Sequence, residues 1–574
     1  MRGRRRQTAR GAAALVLVLG ITGCAPALPD SVIPGTKVVV GWAEQLTSVN
    51  AAALPTAGNI DIAAMTRGDF GDVVDGEFVA DESFGTVTIV SEDPFTVRYD
   101  LAEPSWSDDI PLDAADLLLG WAGAVGYFPA ESDAADAELG NAADSGDEAD
   151  AETIVPTVDE FARSIDVTMQ QPVREWQSTV SVPVAAHLVG AKALGIDDPM
   201  VAKQAVITAI QTRDDEALQK IGEVWNTGFS LGEGAEISEE LLLSSGPFQV
   251  SAVNADSGVT LVPNPSFSGA ATPMVARIDL VPPGDDPIAA VGTEIDIAQV
   301  APTAANQQPV HELERKDFIV NTTYDNSVWA VLLNPTGIFT GAKARTAFFH
   351  AIPPNALTDG AAGEWRAAYS ASTSVTTQAE SRAYSIVSED SGFMQTLGST
   401  EGEPPLERQA AGVAAGSPVC VLYDRSSEFA AGAFDAMKTA AAEAGWRIVD
   451  CGADDYDAAL KKHGWDAVIA RVPIPQSPAQ LAAAWGTNGA NSITGHSDPA
   501  RDELIAQYAQ TADVYEARDI MAQIEATIVR AAVALPFASD PVVTVVDRDL
   551  AGVSPRNGTV APLMSSATQW AVVQ

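Results

Sequence analysis

The stretch FTVRYDLAEPSWSDDIPLDAADLLLGW, residues 95–121, carries more positional information than any other part of the sequence. Its first seven residues alternate between apolar and polar side chains, which is the two-residue period of a half-buried strand. A polar turn follows Pro104. Asp113 and Asp116, three positions apart, are typical of a capping box that opens a helix. The stretch therefore predicts a strand, a tight turn and a helix whose apolar face includes Trp121.

Length and charge limit the classes of protein that this chain can belong to. Its 574 residues exceed the ~250–300 residues at which one hydrophobic core stops growing, so two or three domains are expected. Acidic residues number 77 against 33 basic ones, and the formal net charge is −44. Such a surface repels phosphate groups, so nucleic acid is excluded as a partner.

The N-terminus predicts the location of the protein. The basic segment MRGRRRQTAR precedes an apolar stretch, residues 12–21, that is too short to span a bilayer but fits a signal peptide. The sequence ITGC at 21–24 resembles a bacterial lipobox, which implies removal of residues 1–23 and lipidation of Cys24. Residues 24–36 are then a tether, and the protein is anchored to the cell membrane on its extracytoplasmic face.

Two further cysteines lie in a segment with strand, helix and strand patterns. Residues 419–423 and 447–451 are predicted to be neighbouring strands joined by a helix, and they contain Cys420 and Cys451. A disulfide between them is permissible outside the cell. The sequence leaves its formation open, because the Cα separation that a disulfide requires cannot be derived from it.

The turn and helix of the opening stretch resemble a block of known proteins. WSDDIPLDAAD, residues 106–116, resembles W-S-D-G-x-P-L-x-A-x-D of the family 5 extracellular solute-binding proteins, which are peptide- and nickel-binding lipoproteins of ABC importers. Asp109 stands where the family usually has glycine, so the turn either avoids a positive φ or relies on the tolerance of aspartate for it. Further segments resemble family blocks in the same order: SGPFQV at 245–250, NPSF at 264–267, EIDIA at 294–298, KARTAFFHAI at 343–352 and HSDPARDEL at 496–504.

The resemblance implies an α/β fold of the type II periplasmic-binding-protein kind, with two lobes joined by a hinge and a small subdomain on the first lobe. The predicted division is as follows: first lobe, residues 37–60, 171–283 and 534–574; small subdomain, 61–170; second lobe, 284–533. Residues 131–153 are acidic and contain no base, so they are predicted to be a disordered surface insertion. Long loops are expected in residues 360–416.

The resemblance also suggests ligand-binding candidates in a cleft between the lobes: Trp42, Glu44, Arg471, Trp485, Asn491 and His496. Peptide-binding relatives often place an aspartate just after the strand that ends near residue 470, where it pairs with the amine of the peptide. Here the sequence is RVPIPQ, residues 471–476, without an acid, so this amine clamp is not expected. Arg471 is instead a candidate partner for a carboxylate or phosphate, and a structural ion pair is the alternative.

An enzymatic function is not expected. GFSLG at 228–232 spells G-x-S-x-G, but a helical pattern precedes it where a nucleophile elbow needs a strand. The five histidines are scattered, so His187 is predicted to make a structural hydrogen bond. The sequence contains no zinc, nucleotide or dinucleotide motif, and neither a cofactor nor a metal is expected.

Two functions remain. The first is a monomeric solute-binding lipoprotein of an ABC importer, which captures an oligopeptide-like or other polar solute and delivers it to a permease. The alternative is a cell-envelope lipoprotein of the same fold that does not serve transport and binds or regulates glycolipid or lipoglycan intermediates.

Overall fold

A computed structural model describes residues 28–74, 76–129, 154–158, 163–232, 238–254, 258–398, 402–557 and 561–573. The predicted signal peptide, Cys24 and the acidic segment 131–153 lie outside these residues. Within the predicted tether, Val32 is buried and Ile33 forms a parallel bridge with Val275. The end of that segment therefore belongs to the folded body, because its apolar side chains find partners there.

The strands are numbered along the chain: β1 Val38–Gly41, β2 Gly71–Val74, β3 Glu77–Ala80, β4 Gly85–Glu92, β5 Phe95–Leu101, β6 Ser164–Met169, β7 Phe248–Val253, β8 Val259–Pro263, β9 Ile278–Val281, β10 Ile297–Val300, β11 Ile319–Leu333, β12 Pro418–Leu422, β13 Arg447–Asp450, β14 Ala467–Pro473, β15 Ala534–Val546, β16 Leu550–Ala551 and β17 Ala571–Val572.

The α-helices are numbered in the same way: α1 Ala57–Thr66, α2 Ala114–Ala124, α3 Ala186–Leu194, α4 Pro199–Thr212, α5 Asp215–Thr227, α6 Pro287–Ala290, α7 Ala304–Glu314, α8 Ala342–His350, α9 Pro354–Ala362, α10 Tyr384–Asp390, α11 Phe393–Thr396, α12 Pro404–Ala410, α13 Glu428–Glu443, α14 Tyr456–Lys461, α15 Pro478–Trp485, α16 Pro499–Ala509 and α17 Val514–Ala531. Short 3₁₀ segments lie at Glu239–Leu242, Gly337–Phe339, Gly363–Ala368 and Met564–Gln569.

Most of these strands form one mixed sheet in the order β13-β12-β14-β11-β15-β10-β1-β9-β8-β7. The long strands β11 and β15 are antiparallel neighbours at its centre. Residues 319–324 of β11 pair with 541–546 of β15, residues 328–332 pair with 534–539, and the ladder is interrupted between Tyr324 and Val328. In the first pairing, β15 also pairs with β10, which in turn pairs with β1. In the second pairing, β11 also pairs with β14. Two long strands thus join the two halves of the sheet.

Both faces of the sheet are covered near β14. Along β11, Val331 packs in one hydrophobic core with Phe348, and Leu332 packs in another with Ile524. Strands that are buried on both faces have continuous apolar runs rather than an alternating pattern. This accounts for the sequence WAVLL at the end of β11.

The opening stretch folds as predicted into β5, a turn and α2. Asp113 is the N-cap of α2, and it and Asp116 form a reciprocal capping box with the backbone. Asp109 has φ 66°, so the turn uses the tolerance of aspartate for a left-handed backbone. β5 lies between β4 and β6 in a three-stranded antiparallel sheet whose buried side chains join the core around α2.

The expectation of long loops in residues 360–416 holds only in part, because residues 369–383 form one loop and short helices occupy much of the rest. The described part of this segment contains α10, α11 and α12, and the 3₁₀ segment Gly363–Ala368. These helices have four to seven residues, which is too short for a helical period to emerge from the sequence. Tertiary burial of Val387, Phe393 and Leu397 stabilises them instead.

A disulfide joins Cys420 on β12 to Cys451, which follows β13, with a Cα–Cα distance of 5.6 Å. The two strands are parallel neighbours, and Cys420 pairs in register with Val449. The pairing of these strands thus brings the two cysteines together, a step that the sequence left open.

Candidate ligand-binding site

A cavity of about 170 Å³ lies between two walls that come from different parts of the chain; we call it the cleft cavity. The first wall contains residues from 73–78, on the β2–β3 hairpin, and from 174–178. The second wall contains residues from 376–383, 474–478 and 508–521. Phe78 and Trp176 pack against the core around β1 and β7–β10, whereas Ile474 and Met521 belong to the core around β14. The cavity therefore separates two independently packed bodies.

Direct contacts hold the two walls together. The Arg382 guanidinium pairs with Glu77 at 2.6 Å, the backbone N–H of Arg174 donates to Ala509 O at 2.9 Å, and Trp176 Nε1 donates to Ala512 O at 3.4 Å. The walls are thus closed on each other in this structure.

A buried carboxylate fixes the loop that forms part of the second wall. Glu525 on α17 accepts hydrogen bonds from Ser374 Oγ at 2.8 Å, from Thr376 Oγ1 at 2.5 Å and from the backbone N–H groups of Val375 and Thr376. Burial raises the pKa of Glu525 and these donors oppose the shift. These bonds hold the loop backbone just before Thr377 and Gln378, which line the cavity.

Two predicted site residues, Trp42 and Glu44, follow β1. Trp42 is buried and its Nε1 donates to Asp61 Oδ2 at 2.8 Å, while Glu44 is exposed. Burial raises the pKa of Asp61 to about 6, and the negative charge of Glu44 adds to this shift. This group of side chains is acidic and does not line the cleft cavity.

Arg471 lies on β14 and forms ion pairs with Asp325 and with Asp540, the second at 2.5 Å. Both aspartates flank the interruption between β11 and β15, and Asp540 also accepts a hydrogen bond from Trp329 Nε1 at 2.7 Å. In this structure Arg471 therefore takes part in structural ion pairs, and two carboxylates balance its charge.

The other three candidates, Trp485, Asn491 and His496, follow β14 in the chain, on the side of the cleft cavity that contains the second wall. Trp485 is buried in the core around β14, and Asn491 is exposed with its backbone N–H bonded to Ala483 O. His496 is half-buried, and its carbonyl accepts from Arg501 Nη2 at 2.8 Å. Burial lowers the pKa of His496, and the Arg501 charge lowers it further. The structure does not bring these three together with Trp42, Glu44 or Arg471 at the cleft cavity, and a ligand role for all six stays a prediction.

Sequence reasoning did not single out Arg174, Gln378 or Arg518, all of which line the cleft cavity. Gln378 ends a run of small hydroxylated residues, SASTSVTTQ at 370–378, and Ser372, Ser374 and Thr376 within it are buried. This run of hydroxyl side chains is the signal in the sequence that could have indicated the site. Polar side chains that become buried need hydrogen-bond partners, so such a run can mark an organised loop. The two arginines carried no comparable signal.

Two sequence features that could suggest catalysis, the G-x-S-x-G sequence at 228–232 and His187, have structural contacts in the fold. Residues 228–232 continue from the end of α5, Phe229 is buried and Ser230 bridges Ser48, so no strand–turn–helix elbow is present there. His187 Nε2 lies 3.0 Å from Asp108 Oδ2 in the turn before α2.

Among the described residues, no group of three or more His, Cys, Asp or Glu side chains has the arrangement of a metal site. No helix in the described ranges is long and apolar enough to cross a membrane.

The sequence model for the middle part of the bacterial extracellular solute-binding proteins, family 5, matches residues 87–386, which is more than half of the chain. The chain belongs to this family. An uncharacterized lipoprotein of Mycobacterium tuberculosis (strain ATCC 25618 / H37Rv) is 24% identical over 539 residues, covering 89% of this chain and 88% of the relative. A matching lipoprotein of Mycobacterium leprae (strain TN) is 27% identical over 272 residues, covering 46% of this chain and 44% of the relative.

Solved structures show the same fold for this family 5 protein. A periplasmic EDTA-binding protein, EppA, superposes with a TM-score of 0.72 at 16% identity, covering 94% of this chain and 97% of that one. The oligopeptide-binding protein AppA from Bacillus subtilis, solved with a nonapeptide, gives 0.60 at 10% identity, covering 94% and 99%. The α/β fold of periplasmic solute-binding proteins, expected from the sequence, is thereby confirmed.

Proposed function

We propose that this family 5 protein captures a polar solute between its two lobes and delivers it to an ABC permease. The observation that carries the proposal is the cleft cavity, whose walls belong to two separate hydrophobic cores. A solute that contacts both walls stabilises only the closed arrangement, so binding changes the shape that a permease meets. Binding rather than catalysis is the role that this arrangement supports.

The hinge of this motion is proposed to lie at residues 325–327 of β11 and at Asp540 of β15. The ladder between the two strands is interrupted there, and Asn326 has φ 62°. Because β10 pairs with β1, residues 284–324 are assigned to the first lobe under this proposal, whereas the sequence had placed them in the second. Interrupted ladders bend more readily than continuous ones, since they lack the hydrogen bonds that resist bending.

The predicted lipid on Cys24 would hold the binding protein at the extracytoplasmic face of the membrane, close to the permease. Two acyl chains suffice for stable attachment. We expect a monomer, because each molecule contains both walls of the cleft cavity.

Native mass spectrometry of protein purified without denaturation, followed by small-angle X-ray scattering with the recovered solute, tests this proposal. A recovered oligopeptide or similar polar solute that reduces the radius of gyration of the solute-free protein is the expected result. A recovered mannosylated lipid would favour the alternative function at the cell envelope. If the protein carries no solute and no candidate changes its scattering, solute capture is wrong.

A further inference from the structure

We propose that the cleft cavity binds a carboxylate group of the solute through Arg174, Gln378 and Arg518. This inference rests on the proposed function and specifies the chemistry of the solute. One arginine lies on the first wall and the other two side chains lie on the second, so a carboxylate bound among them would connect the two lobes.

Three residues that line this cavity each carry a buried hydrogen-bond donor without an acceptor. Arg174 Nε, Gln378 Nε2 and Arg518 Nε are buried and have no hydrogen-bond partner among the described residues. Gln378 is 6% exposed. Each unpaired buried donor costs free energy, which an acceptor on a bound solute would recover.

The charges of the two arginines are weakly balanced by the protein. Arg174 interacts with the Tyr508 hydroxyl and, at longer range, with the charge of Glu175, but no described carboxylate lies within 4 Å of its guanidinium. The contact from Arg518 Nε to Asp519 is 4.0 Å, which is too long for a hydrogen bond. Elsewhere on this acidic chain, described arginines such as Arg98 and Arg277 hold carboxylates at 2.7 Å. Other described arginines, such as Arg67 and Arg345, also lack a carboxylate partner, but their guanidinium groups donate to backbone carbonyls.

The surrounding groups favour a singly charged planar anion over a phosphate. Glu77 and Glu175 also line the cavity, and Glu77 is already paired with Arg382. Glu175 therefore remains as the one carboxylate near the guanidinium groups of Arg174 and Arg518. Its charge offsets part of theirs, so the site has too little positive charge to balance a doubly charged group. A guanidinium fork matches the two oxygens of a carboxylate, and a glutamine amide adds a neutral donor.

The site is organised before the solute arrives. Glu525 accepts hydrogen bonds from the backbone N–H groups of Val375 and Thr376, which lie three and two residues before Gln378. The Tyr515 ring lies 5.2 Å below the Arg518 guanidinium, which limits the orientations of that side chain. Side chains that are held in place lose less entropy on binding, so their hydrogen bonds contribute more to affinity.

The test compares acetyl-trialanine, which has a free carboxylate, with the same peptide as a carboxamide, by calorimetry on solute-free protein. The variants are Gln378→Glu, which keeps the shape but replaces a donor by an anion, and the double variant Arg174→Ala, Arg518→Ala. Arg425→Ala is the matched control, because Arg425 pairs with Asp450 and does not line the cavity. Thermal unfolding of each variant verifies folding.

Wild type and the Arg425→Ala control should bind the carboxylate form about tenfold more tightly than the carboxamide, as expected for hydrogen bonds to a charged group. Gln378→Glu and the double variant should lose this difference. Equal affinity of wild type for the two peptides, or binding of neither at millimolar concentration, overturns the carboxylate site. If a neutral solute recovered from the protein still closes the lobes, the proposed function stands and only the carboxylate site fails.

Discussion

Asp116 shows how the residues that identify the family serve the fold. Its carboxylate accepts from Trp106 Nε1 at 3.3 Å, from the backbone N–H groups of Asp113 and Ala186, and from Lys203 Nζ at 2.8 Å. These contacts tie the turn to α2, α3 and α4. The tryptophan and the last aspartate of WSDDIPLDAAD are therefore structural, and the block identifies the family without describing its ligand.

Replacing Lys203 by methionine should destabilise the protein by about 3–5 kcal/mol, because it leaves the buried Asp116 carboxylate without its cation. Urea unfolding at pH 7 measures the change. Lys192→Met is the control, since Lys192 pairs with Glu240 at the surface and should change stability by less than about 1 kcal/mol. Equal effects of the two substitutions would contradict the role of Lys203.

Asp61 predicts a pH dependence. Burial raises its pKa to about 6, above the ordinary 3.8, so the folded state favours the neutral form. The stabilisation from proton binding is complete below about pH 4 and is lost as the pH rises through 6. Asp61→Asn keeps an acceptor for Trp42 Nε1 and should increase the free energy of unfolding by about 1 kcal/mol at pH 8.

Thermal unfolding of wild type and Asp61→Asn between pH 4 and pH 8 checks this expectation. The two curves should meet near pH 4, diverge between pH 4 and pH 6, and run parallel above pH 6. A constant difference across the range would show that the substitution acts through packing rather than through ionisation.

At the scale of elements, α2 packs directly on an extended segment. A Cβ placed on Gly120 would lie 1.9 Å from Ser181 O, so the backbones approach more closely than any side chain allows. Gly120→Ala should therefore destabilise the protein by roughly 2–3 kcal/mol, although alanine favours a helix.

Chemical unfolding of Gly120→Ala provides the measurement, with Gly341→Ala as the matched control. Gly341 is the N-cap of α8 and has a negative φ, and no atom lies within 4 Å of the position that a Cβ would take there. The control should therefore cost only the difference between glycine and alanine at an N-cap, about 1 kcal/mol or less. A stabilising effect of Gly120→Ala would mean that α2 can move away from residues 181–183 without cost.

At the scale of the whole molecule, the ion pairs of Arg471 bridge β14 to both strands that connect the lobes. Arg471→Ala would leave Asp325 and Asp540 close together without a cation, and their repulsion should favour a changed hinge angle. We expect a measurable shift in the radius of gyration of the solute-free protein by small-angle X-ray scattering. The preference for a carboxylate over a carboxamide should remain, because Arg471 does not line the cleft cavity.

Arg425→Ala is the control for this experiment as well, since its ion pair lies away from the hinge. An unchanged scattering profile for Arg471→Ala would remove these ion pairs from the control of lobe closure. Loss of the carboxylate preference would instead restore Arg471 as a ligand-binding residue.

The sequence by itself determined the local elements of this protein and its family. The strand, turn and capped helix of residues 95–121, the hairpin of β7 and β8, and the strand–helix–strand unit around Cys420 all follow from short periods and turn residues. Hydrogen bonds and side-chain contacts between near neighbours in the chain decide such elements. They can therefore be derived without knowledge of the rest of the fold.

Only the tertiary structure decided which side chains meet at the cleft cavity and which charges are paired. Arg174, Gln378 and Arg518 are separated by more than a hundred residues along the chain, and Arg471 finds its aspartates on two other strands. Contacts of this range depend on strand order and on the packing of two separate cores, which a local pattern does not encode. The burial that leaves donors without acceptors is likewise a property of the folded molecule, because the unfolded chain hydrogen-bonds to water.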